Sequence, residues 1–232
     1  MNTRYQILLA WSGAVLVLLF AVGFYPLAHF IPPPLPSASA AEIAGMYQQN
    51  PLQIRLGLLV MMISFGLVCP FAAVIFIQLS RIERGPSILP YAQLACGICG
   101  GALVMIPLML WAGAAFRPDR NPELIMILND MAWISFLWPV PVFFLQVVST
   151  GLAILGDKND QPILPRWSGF FCLWCAVAFL PGLLLIFFEI GPFAWNGLLT
   201  FWLGASVFFT WYMVMSVVMR NCVVRHEAEA HA

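Results

Sequence analysis

Charged residues are scarce in this 232-residue chain. They make up 9% of the sequence, and Lys158 is the only lysine. A soluble domain carries about 25% charged residues, so this composition is too poor in charge for a water-facing surface. The formal net charge is zero, which excludes a basic surface for nucleic acid. With 62% hydrophobic residues, the sequence predicts an integral membrane protein, and we expect it in the inner (plasma) membrane of a bacterium.

Several ligand-binding motifs are also missing. The chain has neither a phosphate-binding Gly-x-x-x-x-Gly-Lys-Ser/Thr loop nor a G-x-G-x-x-G turn, so we expect no nucleotide partner. Its three histidines are His29, His226 and His231. They are too few and too peripheral for a haem held by two histidines between spans, or for a histidine-rich di-iron site. The sequence therefore predicts no cofactor.

Six apolar runs are long enough to cross a hydrocarbon core about 30 Å thick, and only helices can do so as separate segments. We expect an all-α fold, with residues 1–232 as a single membrane domain. The predicted spans are 7–28, 56–79, 91–115, 133–155, 168–189 and 198–219. A tail over 221–232 would follow on the cytoplasmic side.

The distribution of arginine and lysine predicts that both termini lie in the cytoplasm, because cytoplasmic connections carry more of these residues. Seven basic residues would then be cytoplasmic and three external. The cytoplasmic set is Arg4, Arg81, Arg84, Lys158, Arg166, Arg220 and Arg225, and the external set is Arg55, Arg117 and Arg120.

Local signals add detail at two places. Ser39 and Glu42 have the spacing of a capping box, which predicts a short external helix over 40–49 along the membrane interface. The stretch 122–155 is too long for one straight span, and Pro139 and Pro141 predict a kink in it. We expect its first part, 122–132, to project from the membrane or to lie along the interface.

A repeat is also suggested by proline spacing. Pro107 and Pro118 match Pro181 and Pro192 at one constant offset, which favours spans three–four and five–six as duplicated hairpins. Spans one–two would be a diverged third copy. Chance matches among 18 prolines are the competing explanation.

Ionisable residues concentrate near the predicted external ends of the spans, where a charge is costly unless it is paired or reaches water. We predict a polar pocket there that binds a ligand. Its candidate residues are Arg55, Arg120, Glu123, Asn129, Asp130, Trp133, Glu189, Trp195 and Asn196. The alternative is that the charges and tryptophans only anchor helices at the membrane surface.

Two Cys-x-x-Cys pairs, Cys96/Cys99 and Cys172/Cys175, fall in spans three and five. Four converging thiolates would suit zinc or an iron–sulfur cluster. The setting argues against a metal, because an apolar core keeps thiols protonated and cysteine packs there as a small apolar residue.

Three functions remain open from the sequence. The first is a protein, enzyme or carrier, that binds, moves or processes a small apolar or amphipathic molecule through the outer polar pocket. The second is a non-catalytic scaffold or accessory subunit of a membrane complex. The third is a thiol or metal protein that uses the cysteine pairs. Expected partners are membrane lipids, and other membrane subunits or a second copy of the chain.

Overall fold

The computed structural model describes residues 3–82 and 87–230, and all regular structure in these two ranges is helical. Six helices within them are long and apolar enough to cross a membrane. Arg84, which contributed to the predicted orientation, and His231 lie outside the described residues.

The helices are labelled in chain order by their bounds. They are α1 (Thr3–Leu27), α2 (Ala40–Gln49), α3 (Pro51–Leu79), α4 (Ile88–Phe116), α5 (Pro122–Leu155), α6 (Arg166–Phe187) and α7 (Leu198–Ala228). The helical conformation of α7 continues to Ala230. All except α2 are candidate membrane spans.

The six predicted apolar runs are thus confirmed as helices, and two of these helices extend beyond the predicted spans. Residues 122–132 belong to one α-helix that runs from Pro122 to Leu137 after the Asn121 side chain caps it, and their projection from the membrane stays a prediction. The predicted tail over 221–232 is helical as far as it is described. Its alanines and glutamates favour helix, and Arg225 ties it to the carbonyls of Pro162 and Ile163.

Helix α2 begins where the sequence predicts. Ser39 is its N-cap, and Ser39 and Glu42 form both bonds of a capping box. The Ser39 backbone N–H donates to Glu42 Oε2 at 2.8 Å. Bonding to this backbone group, and to the Ser39 hydroxyl, holds the pKa of Glu42 below its usual range. The charged carboxylate therefore stabilises the first turn of the helix.

The spanning helices form a closed ring in chain order. Each packs against the next, from α1 through α3, α4, α5 and α6 to α7, and α7 returns to pack on α1. Helix α3 also contacts α7 across the ring, and α2 lies over one end, against α5. We call this end of the bundle the α2 end.

The core near the α2 end is aromatic and centres on Phe24. Its ring lies 5.1–6.2 Å from six other aromatic rings, contributed by Phe20, Phe30, Trp111, Trp133, Phe136 and Phe201. Edge-to-face and offset pairs of this kind add to the gain from burial. This cluster joins α1, α4, α5 and α7.

Helices α1 and α3 touch through their backbones at two glycines. A Cβ atom on Gly57 would lie 2.5 Å from the carbonyl oxygen of Gly23 and 2.8 Å from the amide nitrogen of Ala28. A Cβ on Gly23 would lie 2.6 Å from the Gly57 oxygen. Small residues permit such close approach in membrane bundles. Because Phe24 follows Gly23 directly, this contact also fixes the position of the aromatic cluster.

Replacing Gly57 with alanine tests the contact. We expect G57A to lower the free energy of unfolding by about 1–3 kcal/mol, since backbone atoms cannot yield as a flexible side chain would. Gly66 lies in the same helix with nothing within 4 Å of a Cβ, so G66A is the matched control and should be neutral or stabilising. Thermal and denaturant unfolding in detergent measure both. Equal losses for the two variants would contradict the contact.

Candidate functional site

A buried hydrogen-bond chain joins α2 to α5 within the predicted outer cluster. The Tyr47 hydroxyl donates to Asn129 Oδ1 at 3.0 Å, and the Asn129 amide donates to Asp130 Oδ1 at 3.3 Å. Tyr47 and Asn129 are each 1% exposed. Burial raises the pKa of Tyr47, and the charge of Asp130 raises it further. The phenol therefore stays protonated and acts as the donor.

Arg55 bonds to the end of the neighbouring helix α4. Its Nε donates to the carbonyl of Ala115 at 2.9 Å, and its Nη2 to that of Phe116 at 3.2 Å. These are carbonyls at the C-terminus of α4, which favours a positive charge. Among the described residues, the Arg55 side chain forms hydrogen bonds with this helix end and no ion pair with Asp130 or Glu189.

The remaining candidate residues differ in burial and in their hydrogen-bond partners. Arg120, Glu123 and Glu189 are exposed, and Asn196 is half-buried. Trp195 is buried and donates through Nε1 to the carbonyl of Pro34 at 2.8 Å. Trp133 is fully buried in the aromatic cluster. The structure brings together Asn129 and Asp130, while a ligand-binding role for the nine residues stays a prediction.

The two cysteine pairs do not meet. Cys172 and Cys175 are buried, whereas Cys96 is half-buried and Cys99 is exposed. Helix α5 packs against both α4 and α6, which carry the pairs. Across residues 3–82 and 87–230, no group of three or more His, Cys, Asp or Glu side chains is placed to hold a metal ion. The structure therefore does not bring these four thiols together into one site.

A cavity of about 60 Å³ lies in the bundle interior where three helices change conformation. Helix α5 breaks between Leu137 and Val140. Helix α6 tightens to 3₁₀ geometry at Leu180, and α7 passes from a π-helical turn to α-helix at Gly204. The lining comprises Phe65, Val104, Phe136, Leu137, Val140, Phe143, Phe179, Gly182, Thr200, Gly204, Ala205, Phe208 and Phe209. None of these side chains is charged.

The break in α5 changes the hydrogen bonding at the cavity wall. Pro139 and Pro141 have no N–H, so the carbonyls of Ser135 and Leu137 lose the donor that a regular helix would supply. The Val140 N–H donates to the Trp138 carbonyl at 2.7 Å. The Leu137 oxygen faces Gly182 of α6, where a Cβ would lie 3.6 Å from it.

A groove of about 210 Å³ lies next to this cavity, at the outer surface of the bundle between α1 and α7. It shares Phe136, Ala205 and Phe209 with the cavity. Its rim carries Tyr25 and Trp202, which are 60% and 42% exposed. Each of these rim residues lies in a π-helical turn, Gly23–Leu27 in α1 and Leu198–Leu203 in α7. The groove therefore opens toward the surrounding lipid beside the cavity.

Sequence reasoning missed a set of buried polar side chains. Both amide atoms of Gln93, Nε2 of Gln146, the Tyr212 hydroxyl and Oγ of Ser216 have no hydrogen-bond partner among the described residues. Gln146 Nε2 lies opposite Gly97, 2.8 Å from where its Cβ would be. Glutamines inside apolar runs are visible in the sequence and could have signalled this polar layer. Its groups can bind water or a polar molecule.

Replacing Tyr47 with phenylalanine tests the chain between α2 and α5. We expect Y47F to lower the free energy of unfolding by about 1–3 kcal/mol, because Asn129 Oδ1 is left buried without a donor. Tyr91 is exposed, so Y91F is the control. The protonated phenol stabilises the fold below the pKa of an unfolded tyrosine, about 10, and this contribution is lost as the pH rises above it. The difference between wild type and Y47F should therefore shrink in that range.

A double-mutant cycle that combines Y47F with N129L measures the interaction energy between Tyr47 and Asn129. Once Tyr47 is phenylalanine, the further loss from N129L should be smaller than the loss from N129L alone. Strictly additive losses would show that the two side chains do not depend on each other.

Beside these unpartnered polar side chains, the interior holds a hydrogen-bonded polar chain under α2 and an apolar cavity. The cavity has room for a small group and lies next to a groove that reaches the lipid-facing surface. Comparisons of this chain with protein-family models, with curated proteins and with solved structures found no match.

Proposed function

We propose that this six-span membrane protein binds a small apolar or amphipathic molecule that enters from the bilayer through the groove between α1 and α7. The observation that carries the proposal is that the lateral groove adjoins the interior cavity, with Phe136, Ala205 and Phe209 in the lining of both. Ligand sites in helical bundles are mostly apolar and lie between the helices.

The geometry of the helices supports the same site. In membrane proteins, irregular backbone occurs where it is buried or lines a cavity, because lipid offers no hydrogen-bond partner. Broken spans also mark binding sites in many carriers. Here α5, α6 and α7 are irregular at one cavity, with Gly182 and Gly204 in its wall. If both termini are cytoplasmic, the α2 end and the groove belong to the outer half of the membrane.

A scaffold role has no comparable support. It predicts one wide apolar face left uncovered for a partner subunit. Large exposed apolar side chains occur on all six spanning helices, for example Leu18, Leu59, Met109, Leu145, Phe170 and Val217. Lipid contact alone requires this distribution, so it does not single out a partner surface.

Filling the passage between groove and cavity tests the proposal. We expect a photoreactive ten-carbon alkyl diazirine, added to the full chain in lipid nanodiscs, to label groove residues such as Tyr25 and Trp202. An excess of unlabelled 1-decanol should abolish this labelling. The variant A205F should reduce it at least fivefold, because the new ring occupies the passage shared by groove and cavity. Peptide mass spectrometry maps and quantifies the label.

The matched control is A102F, which places the same ring on an exposed alanine of α4. It should leave groove labelling unchanged. Labelling spread evenly over the lipid-facing surface, or equal labelling in A205F and wild type, would overturn the proposal.

A further inference from the structure

The polar atoms that border the cavity are hydrogen-bond acceptors. Thr200 is 2% exposed, and its hydroxyl proton is already donated to the Phe193 carbonyl at 2.9 Å. Its Oγ1 lone pairs are therefore left to accept. The Leu137 carbonyl has no helical donor, because Pro141 lacks an N–H, and its oxygen would lie 3.6 Å from a Cβ on the cavity-lining Gly182.

Two donors at the break in α5 are already used within the protein. The Trp138 indole N–H donates to the Leu183 carbonyl at 3.3 Å, and the Val140 N–H donates to the Trp138 carbonyl. Thr200 is the one polar side chain among the residues that line the cavity. Inside the cavity, a ligand group that only accepts hydrogen bonds, such as a ketone, an ester or an ether, would therefore meet no free side-chain donor. A ligand that donates would satisfy atoms that are otherwise costly to bury.

The residues that line the cavity also indicate the charge of the ligand. An ammonium group also donates, but no charged side chain lines the cavity to balance it. A buried, unpaired charge in a membrane protein is far more costly than a buried neutral hydroxyl.

We infer that the ligand is a neutral apolar alcohol. Its hydroxyl lies in the cavity and donates to the Leu137 carbonyl or to Thr200 Oγ1, and its hydrocarbon part lies in the groove between α1 and α7. This inference rests on the proposed function and narrows it to one class of molecule. The two volumes are consistent with this placement of the ligand. The cavity of about 60 Å³ has room for the hydroxyl and a few neighbouring atoms, and the groove of about 210 Å³ has room for a hydrocarbon chain.

A matched pair of probes tests the hydroxyl. Perdeuterated 1-decanol and methyl nonyl ether have the same number of heavy atoms, but only the alcohol donates a hydrogen bond. The full chain in lipid nanodiscs is given both, and native mass spectrometry measures the two bound populations. After correction for the concentration of each probe in the bilayer, we expect wild type to prefer the alcohol about 5- to 10-fold.

Two variants of Thr200 test whether the preference for the alcohol over the ether arises in the cavity. T200V keeps the shape of the side chain but removes its oxygen, and it should reduce the preference at least twofold. T200S keeps the hydroxyl and should retain the wild-type preference. Equal loss in both variants would overturn the role of Thr200 as an acceptor.

The outcomes separate the inference from the function on which it rests. Equal binding of alcohol and ether by wild type, with both displaced in A205F, would refute the alcohol and leave the apolar site standing. Binding of neither probe, or binding that A205F does not reduce, would refute the proposed function itself.

Discussion

The structure depends on one constraint: lipid offers no hydrogen-bond partner to the backbone. A membrane span must close its own hydrogen bonds or pack any open ones against protein. The helices here obey this over most of their length and depart from it near one cavity. The break at Pro139 and Pro141 opens carbonyls toward α6, where Gly182 lets the neighbouring helix approach them. The irregular turns in α1 and α7 lie beside the groove that adjoins the same cavity.

The same constraint separates the two polar regions. Near α2, the bond between Tyr47 and Asn129 satisfies two polar groups that are almost completely buried. Arg55 satisfies carbonyls at the end of α4. These contacts hold α2 and two helix ends in place, so they have a structural role. Around the cavity, by contrast, Leu137 and Thr200 offer acceptors that the described protein does not fully use. A polar atom left open in this way is where a ligand can contribute most binding energy.

Much of the architecture could be predicted from the sequence, because it depends on local sequence patterns. Apolar length predicts the six spans, Ser39 and Glu42 predict the start of α2, and Pro139 and Pro141 predict the break in α5. The partner of Asn129 could not be predicted from the sequence, because Tyr47 lies in another helix, 82 residues earlier in the chain. The cysteine pairs illustrate the same problem. Their spacing is local, but whether they meet depends on which helices are neighbours.

The cavity could not be predicted from the sequence, because the small residues that line it come from different helices. Gly182, Gly204 and Ala205 are unremarkable in their own runs, and only the ring order of the helices brings them together. Larger apolar residues at these positions could fill the space. Leaving about 60 Å³ open costs on the order of 1.4 kcal/mol at the rate measured for cavities in protein cores. A bound molecule would offset that cost and supply the missing donor, so one ligand accounts for both the open space and the open acceptors.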